Sequence, residues 1–304
     1  MFKKSSVISG TLLVILAACS TAFAQGEGDR YVLGSLNTLL TANTIESEIR
    51  IATFVDGGEY TARGHYEEQA LPRIPGQSPP FLRSMHRLEI FFINTPMAGS
   101  AETNRMTLVS RPGTDGGRGQ MERYTSIEGV RTFHTIDLTV LEERIRNSRA
   151  ITFTQVSEVR NLGGLAGKMR QIGRFYAFSA PTQEILQDGE TIPTLRLTGR
   201  LRSEHYEWLL AHFGGLDARG RYPVDFPSDI ELWLGRHNDF PYQIRYLRRI
   251  SPDSERKELL LQETFFNVVL NGAPIPAARF APLIPPDDVF GVDGTDDLIR
   301  TLGL

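Results

Sequence analysis

Ile45-Glu46-Ser47-Glu48-Ile49-Arg50-Ile51-Ala52-Thr53-Phe54-Val55 runs into Asp56-Gly57-Gly58 and then into Glu59-Tyr60-Thr61-Ala62-Arg63-Gly64-His65-Tyr66-Glu67-Glu68-Gln69. Two runs of strand-forming residues flank an Asp-Gly pair. Glycine accepts the positive φ that a tight hairpin turn demands, so the stretch reads as a long antiparallel hairpin. The same grammar recurs downstream. Residues 106–110 and 121–125 flank Asp115-Gly116-Gly117, and Glu128-Gly129 turns into residues 131–136. Asp188-Gly189 follows residues 184–187, and Ser251-Pro252-Asp253-Ser254 separates residues 241–248 from 258–270. Further strands are expected at 87–92, 175–179, 194–203 and 229–234.

Helical spacing marks other segments. Leu33, Leu36, Leu39 and Leu40 share a face over residues 29–44, and Leu138, Leu141 and Ile145 are in phase over 137–148. Residues 156–171, though rich in glycine, read as a further helix. Residues 204–213 read as a short one ended by Gly214-Gly215, and residues 293–302 as a closing one. Residues 71–80 read as a proline-rich loop. The tail, 271–288, is also proline-rich and is expected to run extended along the sheet edge. Consecutive hairpins without strand-helix-strand alternation predict antiparallel pairing, an α+β fold and a single domain over 26–304.

The first 25 residues read as an export signal. Lys3 and Lys4 precede an apolar stretch, 7–18, too short to span a bilayer comfortably. Two exits stay open. Ala22-Phe23-Ala24 suits a general signal peptidase and leaves Gln25 first. Leu16-Ala17-Ala18-Cys19 resembles a bacterial lipobox, whose cysteine is lipidated; Cys19 is the only cysteine in the chain. The expected location is therefore outside the cytoplasm, periplasmic, either free or anchored as a lipoprotein. Either way the folded part has no cysteine, and its stability must come from burial rather than disulfides.

The chain is 40% hydrophobic and 23% charged, with a formal net charge of −3. Removing Lys3 and Lys4 takes this to −3 − 2 = −5. That balance argues against a nucleic-acid partner, which needs basic surface to replace phosphate counterions.

Catalytic signatures are missing. None of the six histidines (His65, His86, His134, His205, His212 and His237) forms a His-x-His or His-x-x-x-His pair, and no metal site or cofactor is expected. No Gly-x-Ser-x-Gly elbow occurs, and the glycine-rich 113–119 lacks the Gly-Lys-Ser/Thr end of a phosphate loop. Glu67, Glu68, Asp225, Asp229 and Glu231 could pair for acid-base work, but solvated strand faces and turns account for them more simply. The acidic residues Asp287, Asp288, Asp293, Asp296 and Asp297 lack calcium-loop spacing. Asp293 to Asp297 suit the N-terminus of the closing helix instead. No catalytic residue is assigned.

The ending carries a family likeness. Glu263-Thr264-Phe265-Phe266-Asn267-Val268-Val269-Leu270-Asn271-Gly272 leads into Pro274-Ile275-Pro276, Phe280 and Pro285-Pro286. This resembles the LolA/LolB-type periplasmic lipoprotein-carrier superfamily, which includes RseB-like and LppX-like proteins, where a final strand precedes a Pro-x-x-x-Phe-x-Pro-Pro-flavoured segment. The resemblance implies a strongly curved antiparallel half-barrel sheet, with helices covering its concave face and an apolar cavity for acyl chains between them. The chain is longer than the small carriers at 71–80 and 217–225, and none of their lipid-contacting residues is carried over.

On that reading the cavity candidates are Leu88, Ile90 and Phe92 on one strand and Trp208 on the short helix. Trp233, Tyr242, Ile244, Tyr246, Phe265 and Phe266 follow on later strands. An ordinary packed core would use the same residues. In Glu231-Leu232-Trp233-Leu234, Trp233 faces away from Ile230, Leu232 and Leu234, which predicts a strand buried on both sides. Three functions stay open. The first is a non-enzymatic envelope protein binding lipid or acylated lipoprotein. The second is an interaction or envelope-stress sensor module, meeting a membrane surface or membrane-protein partner. The third is a hydrolase with an unrecognised site.

Overall fold

The computed structural model describes residues 26–55, 58–71, 84–93, 104–111, 118–127, 129–147, 164–187 and 191–301. Helix α1 (Asp29–Thr41) leads into a meander of six strands: β1 (Thr44–Val55), β2 (Gly58–Ala70), β3 (Ser84–Phe92), β4 (Arg105–Arg111), β5 (Gln120–Ile127) and β6 (Val130–Asp137). Helices α2 (Leu138–Asn147) and α3 (Gly164–Phe175) follow. Next come β7 (Tyr176–Phe178), β8 (Thr182–Gln187), β9 (Thr191–Leu201), α4 (Ser203–His212), β10 (Asp229–Gly235), β11 (Pro241–Arg249) and β12 (Lys257–Leu270). A 3-10 turn (Ala277–Phe280), β13 (Gly291–Asp293) and α5 (Thr295–Thr301) complete the chain.

The thirteen strands among the described residues belong to one sheet, ordered β13-β6-β5-β4-β3-β2-β1-β12-β11-β10-β9-β7, with β8 also on β9. Every pairing is antiparallel except β13 on β6. The sheet does not close into a barrel. The hairpin grammar fixes most neighbours; β1 and β2, for instance, pair from Thr44↔Gln69 to Val55↔Gly58. The turn residues 56–57, 112–117 and 188–190, the loop 72–80 and the first part of the 156–171 helix lie outside the described residues. The pairing of β1 with β12 is one that no hairpin dictates. It joins the N-terminal meander to the C-terminal one and runs from Ile45↔Leu270 to Thr53↔Leu261.

One face of the sheet carries the main core. Val32 and Leu39 of α1, Leu165, Met169 and Ile172 of α3 and Leu209 of α4 form a single buried cluster with Ile45, Ile49, Ile90, Leu197, Leu232, Ile244 and Phe265. A buried ion pair ties α1 into place: Arg202 Nη2 lies 2.8 Å from Asp29 Oδ2, while Asp29 Oδ1 accepts the Phe178 amide. The helix ends follow local chemistry. Asp137 Oδ1 accepts the Thr139 and Val140 amides at the start of α2, and Asp293 Oδ1 accepts the Thr295 amide at the start of α5. Beyond α4, Gly214 and Gly215 stand at φ +94° and +80°, the left-handed region that ends a helix cheaply only with glycine.

The tail departs from expectation. It crosses the opposite face of the sheet instead of following the edge. Ile275 and Phe280 bury against Val109, with Met85 and Leu283 alongside. Arg279 pairs with Glu67 at 2.8 Å, and Glu122 accepts the Leu283 amide. Val109 and Leu108 point to opposite faces, as neighbours on a strand must. A proline-rich segment lacks the amide donors for a long ladder, so it buries side chains instead. Only at β13 does it join the edge, alongside β6. From there α5 turns onto the other face, where Leu298 and Ile299 pack with Leu108, Met121, Leu138 and Leu141. The tail therefore straps the β2–β6 half from outer face to inner face.

Candidate functional site

A cavity of about 180 Å³ lies between the sheet and α3. Strand alternation sets its walls. Ile49 and Ile51 come from β1, Leu88 from β3, Met106 and Leu108 from β4, Leu261 and Phe265 from β12, and Leu165 from α3. Each pair is spaced by two or four residues, so both members face the same way.

One side of this apolar space is polar. Tyr66, His86, Lys168 and Glu263 line it together with Gly164. Gly164 opens α3 at φ +58°, and a Cβ there would come within 2.8 Å of both Glu68 carboxylate oxygens and the Tyr66 hydroxyl. Only glycine permits that approach. The Leu165 amide then donates to the Tyr66 hydroxyl at 2.9 Å and to Glu68 Oε2 at 3.3 Å. Tyr66 and Ser84 donate their hydroxyls to the same carboxylate. The Glu68 side chain thus sits at the positive end of a helix.

Burial nonetheless pushes the Glu68 carboxyl above its usual range, although the bonds from Ser84, Tyr66 and Leu165 oppose the shift. The Tyr66 hydroxyl is raised well above the ordinary tyrosine range, first by burial and then by the Glu68 charge. One helical turn beyond Gly164, Lys168 Nζ reaches Glu263 Oε2 at 2.6 Å, with both side chains about nine-tenths buried. Breaking such a buried pair from one side costs about 3–5 kcal/mol.

The register also sets Glu68, His86 and Ser110 side by side across β2, β3 and β4. That order invites comparison with an acid, a base and a nucleophile. An activated serine needs its hydroxyl on the base. Ser110 Oγ has no hydrogen-bond partner among the described residues, and the Glu68 carboxylate is held by Tyr66, Ser84 and Leu165. Among the described residues no three His, Asp or Glu side chains gather as metal ligands, and no helix is long and apolar enough to cross a membrane.

The ten cavity candidates separate by position. Leu88 and Phe265 line the cavity. Ile90, Ile244 and Tyr246 are buried in the adjoining core, with Phe92 and Tyr242 packed against it. Phe240 bridges Tyr242 and Phe265 edge-on, with ring centroids 5.2 and 5.8 Å away. Phe266 faces the other side of the sheet, under the Arg50 guanidinium. Asn267 at φ +49° and the register shift between Glu46 and Glu48 mark the bulge beside it. Trp233 also faces away from the cavity. Its indole donates to Glu184 and lies under Arg196 and Arg245. β10 is buried on both sides, as alternation implies, but long charged side chains cover the Trp233 side. The Trp208 side chain and Cys19 lie outside the description.

Sequence reasoning missed most of the wall: Ile49, Ile51, Met106, Leu108, Leu165 and Leu261, and the polar Tyr66, Lys168 and Glu263. A signal was present. Leu261-Glu263-Phe265 puts a carboxylate in phase with two apolar residues, and Leu165-Lys168-Ile172 puts an ammonium on an apolar helix face. Opposite charges on two apolar faces mark faces that meet.

No protein-family model matches the chain, and no curated protein matches it in sequence. Several solved structures are similar to it. MucB is 14% identical, with 83% of this chain and 62% of MucB covered, at a TM-score of 0.36. The Mycobacterium tuberculosis lipoprotein LppX is 11% identical over 81% of this chain and 96% of LppX, at a TM-score of 0.31. A LolA superfamily protein from Nitrosomonas europaea is 10% identical over 84% and 98%, at 0.26.

Proposed function

We propose that the protein is an exported, non-enzymatic cell-envelope protein that seats an apolar chain, such as a lipid or lipoprotein acyl chain, in the cavity between the sheet and α3. In this reading the open sheet curves around α1, α3 and α4, and the helices cover its concave face. The observation that carries the proposal is the cavity itself. Protein interiors pack as densely as organic crystals, so an apolar-walled space between sheet and helix stands out. The space of about 180 Å³ is instead favourable for ligand methylenes, each contributing about 0.8 kcal/mol on leaving water. An engineered apolar cavity of about 150 Å³ takes one benzene, so this one takes about seven carbons. It holds one end of a chain, and the remainder emerges at the mouth.

The export signal in the first 25 residues and the lack of an activated nucleophile among the described residues fit a carrier or sensor in the periplasm. Native mass spectrometry with lipid extraction, on protein purified from its own envelope fraction, tests this. A stoichiometric lipid or acylated peptide is expected. An empty protein that also takes up no added lipid refutes the reading.

A second reading, an interaction or envelope-stress sensor module on the same fold, has one observation of its own. Ile284 and Phe290 on the tail are 93% and 86% exposed. Isolated exposed apolar residues are common, so the cavity outweighs them.

A further inference from the structure

The polar side of the cavity decides which chains it can take, given the chain-binding reading above. Its one ammonium, Lys168, lies 2.6 Å from Glu263. Behind this lining, the Glu68 side chain is held by the Tyr66 and Ser84 hydroxyls and the Leu165 amide. Tyr66, Glu68, His86 and Glu263 are all at least 94% buried. The cation is thus already balanced by the carboxylate beside it. An ionised head entering here gains no uncompensated positive charge. It must either displace Glu263 from Lys168, stranding a buried carboxylate, or shed its own water without a counter-charge. An uncharged head pays neither penalty. A carboxylate accepts more than one hydrogen bond, so a hydroxyl can donate to Glu263 with Lys168 still in place.

We infer that the cavity selects chains whose polar end is uncharged, such as alcohols, esters and amides, and rejects ionised carboxylates, with the Lys168–Glu263 pair as the selecting element. An acyl chain is accepted when esterified or amide-linked and refused as a free fatty-acid anion.

The test compares 1-octanol with octanoate, short enough to stay monomeric, by calorimetric titration of delipidated full-length protein. A carboxylic acid of ordinary pKa, about 4.3, is neutral in roughly one molecule in 500 at pH 7. If only that form enters, octanoate binds at least a hundredfold more weakly than octanol. Its affinity then rises about tenfold for each pH unit lowered from 7, while octanol binding stays level. Glu263→Gln leaves the ammonium facing a neutral amide, and should narrow the gap at pH 7 to about tenfold or less.

Octanoate binding within about threefold of octanol, or an octanoate affinity that does not respond to pH, overturns the inference and leaves the chain-binding reading standing. An unchanged gap in a folded Glu263→Gln protein overturns the role of the pair. The wild-type pH series decides the selectivity even if that variant does not fold. If neither ligand binds, the chain-binding reading falls and the inference falls with it.

Discussion

Lengthening a linear alcohol one carbon at a time probes the cavity's size. Each methylene moved from water into an apolar site contributes about 0.8 kcal/mol, roughly a fourfold gain in affinity. From butanol to heptanol the affinity should therefore climb about sixtyfold. The space of about 180 Å³ is full at about seven carbons, so the slope should flatten near heptanol or octanol as later carbons lie at the mouth. Phe265→Ala moves the break. Phe265 is 1% exposed and stands edge-on to Tyr66 and Phe240 at 6.2 and 5.8 Å. Removing its ring frees room for about six more carbons, at a stability cost of about 3–5 kcal/mol that ligand should partly return. Calorimetric titration reads the affinities, and urea unfolding with and without dodecanol reads the recovery. Affinity independent of chain length refutes the apolar site. A full slope continuing to sixteen carbons in the wild type refutes this cavity as its seat.

Other perturbations follow from the same contacts. Gly164→Ala forces a side chain into the left-handed region and onto the Glu68 carboxylate, so urea unfolding should show a loss of at least about 2 kcal/mol. Arg202→Met strands the buried Asp29 carboxylate at the start of α1 and should cost about 3–5 kcal/mol, read as a lower midpoint of thermal unfolding. Glu68 has a folded pKa above its unfolded value, so the native state holds its proton more tightly. Its contribution is present below the usual carboxylate range and is lost as pH rises through the folded pKa. Glu68→Gln should therefore flatten the stability decline as pH rises above the usual carboxylate range, and an unchanged pH slope contradicts that assignment. Phe280→Ala loosens the strap across the outer face, and amide exchange in β4 and β5 should quicken before that in β10 and β11.

The hairpins were legible because their signals are local. Asp-Gly turns and alternating strands specify neighbours within a few residues, and the strands from Ile45 to Leu270 fell where alternation put them. The β1–β12 pairing was not, since no turn connects strands at opposite ends of the chain. The tail misled because proline content signals extension without saying which face it lies on. The apolar partners Val109 and Ile275 meet across a long stretch of sequence. Phe266 and Trp233 were misplaced relative to the cavity for related reasons. Phe266 is the immediate neighbour of Phe265, so unbroken alternation turns it to the opposite face, and Trp233 is buried by the arginines beside it rather than by a helix. Lys168 and Glu263 read as ordinary charges until α3 and β12 come together.

Photo-crosslinking with a decyl alcohol carrying a diazirine near its chain end, followed by peptide mapping, tests the central claim most directly. Adducts concentrated on β1, β3, β4, β12 and the first turn of α3, at residues such as Ile51, Met106 and Leu261, are the predicted result. They should be competed away by unlabelled alcohol. Adducts confined to Ile284 and Phe290 of the tail, or a pattern that no competitor displaces, would contradict the account.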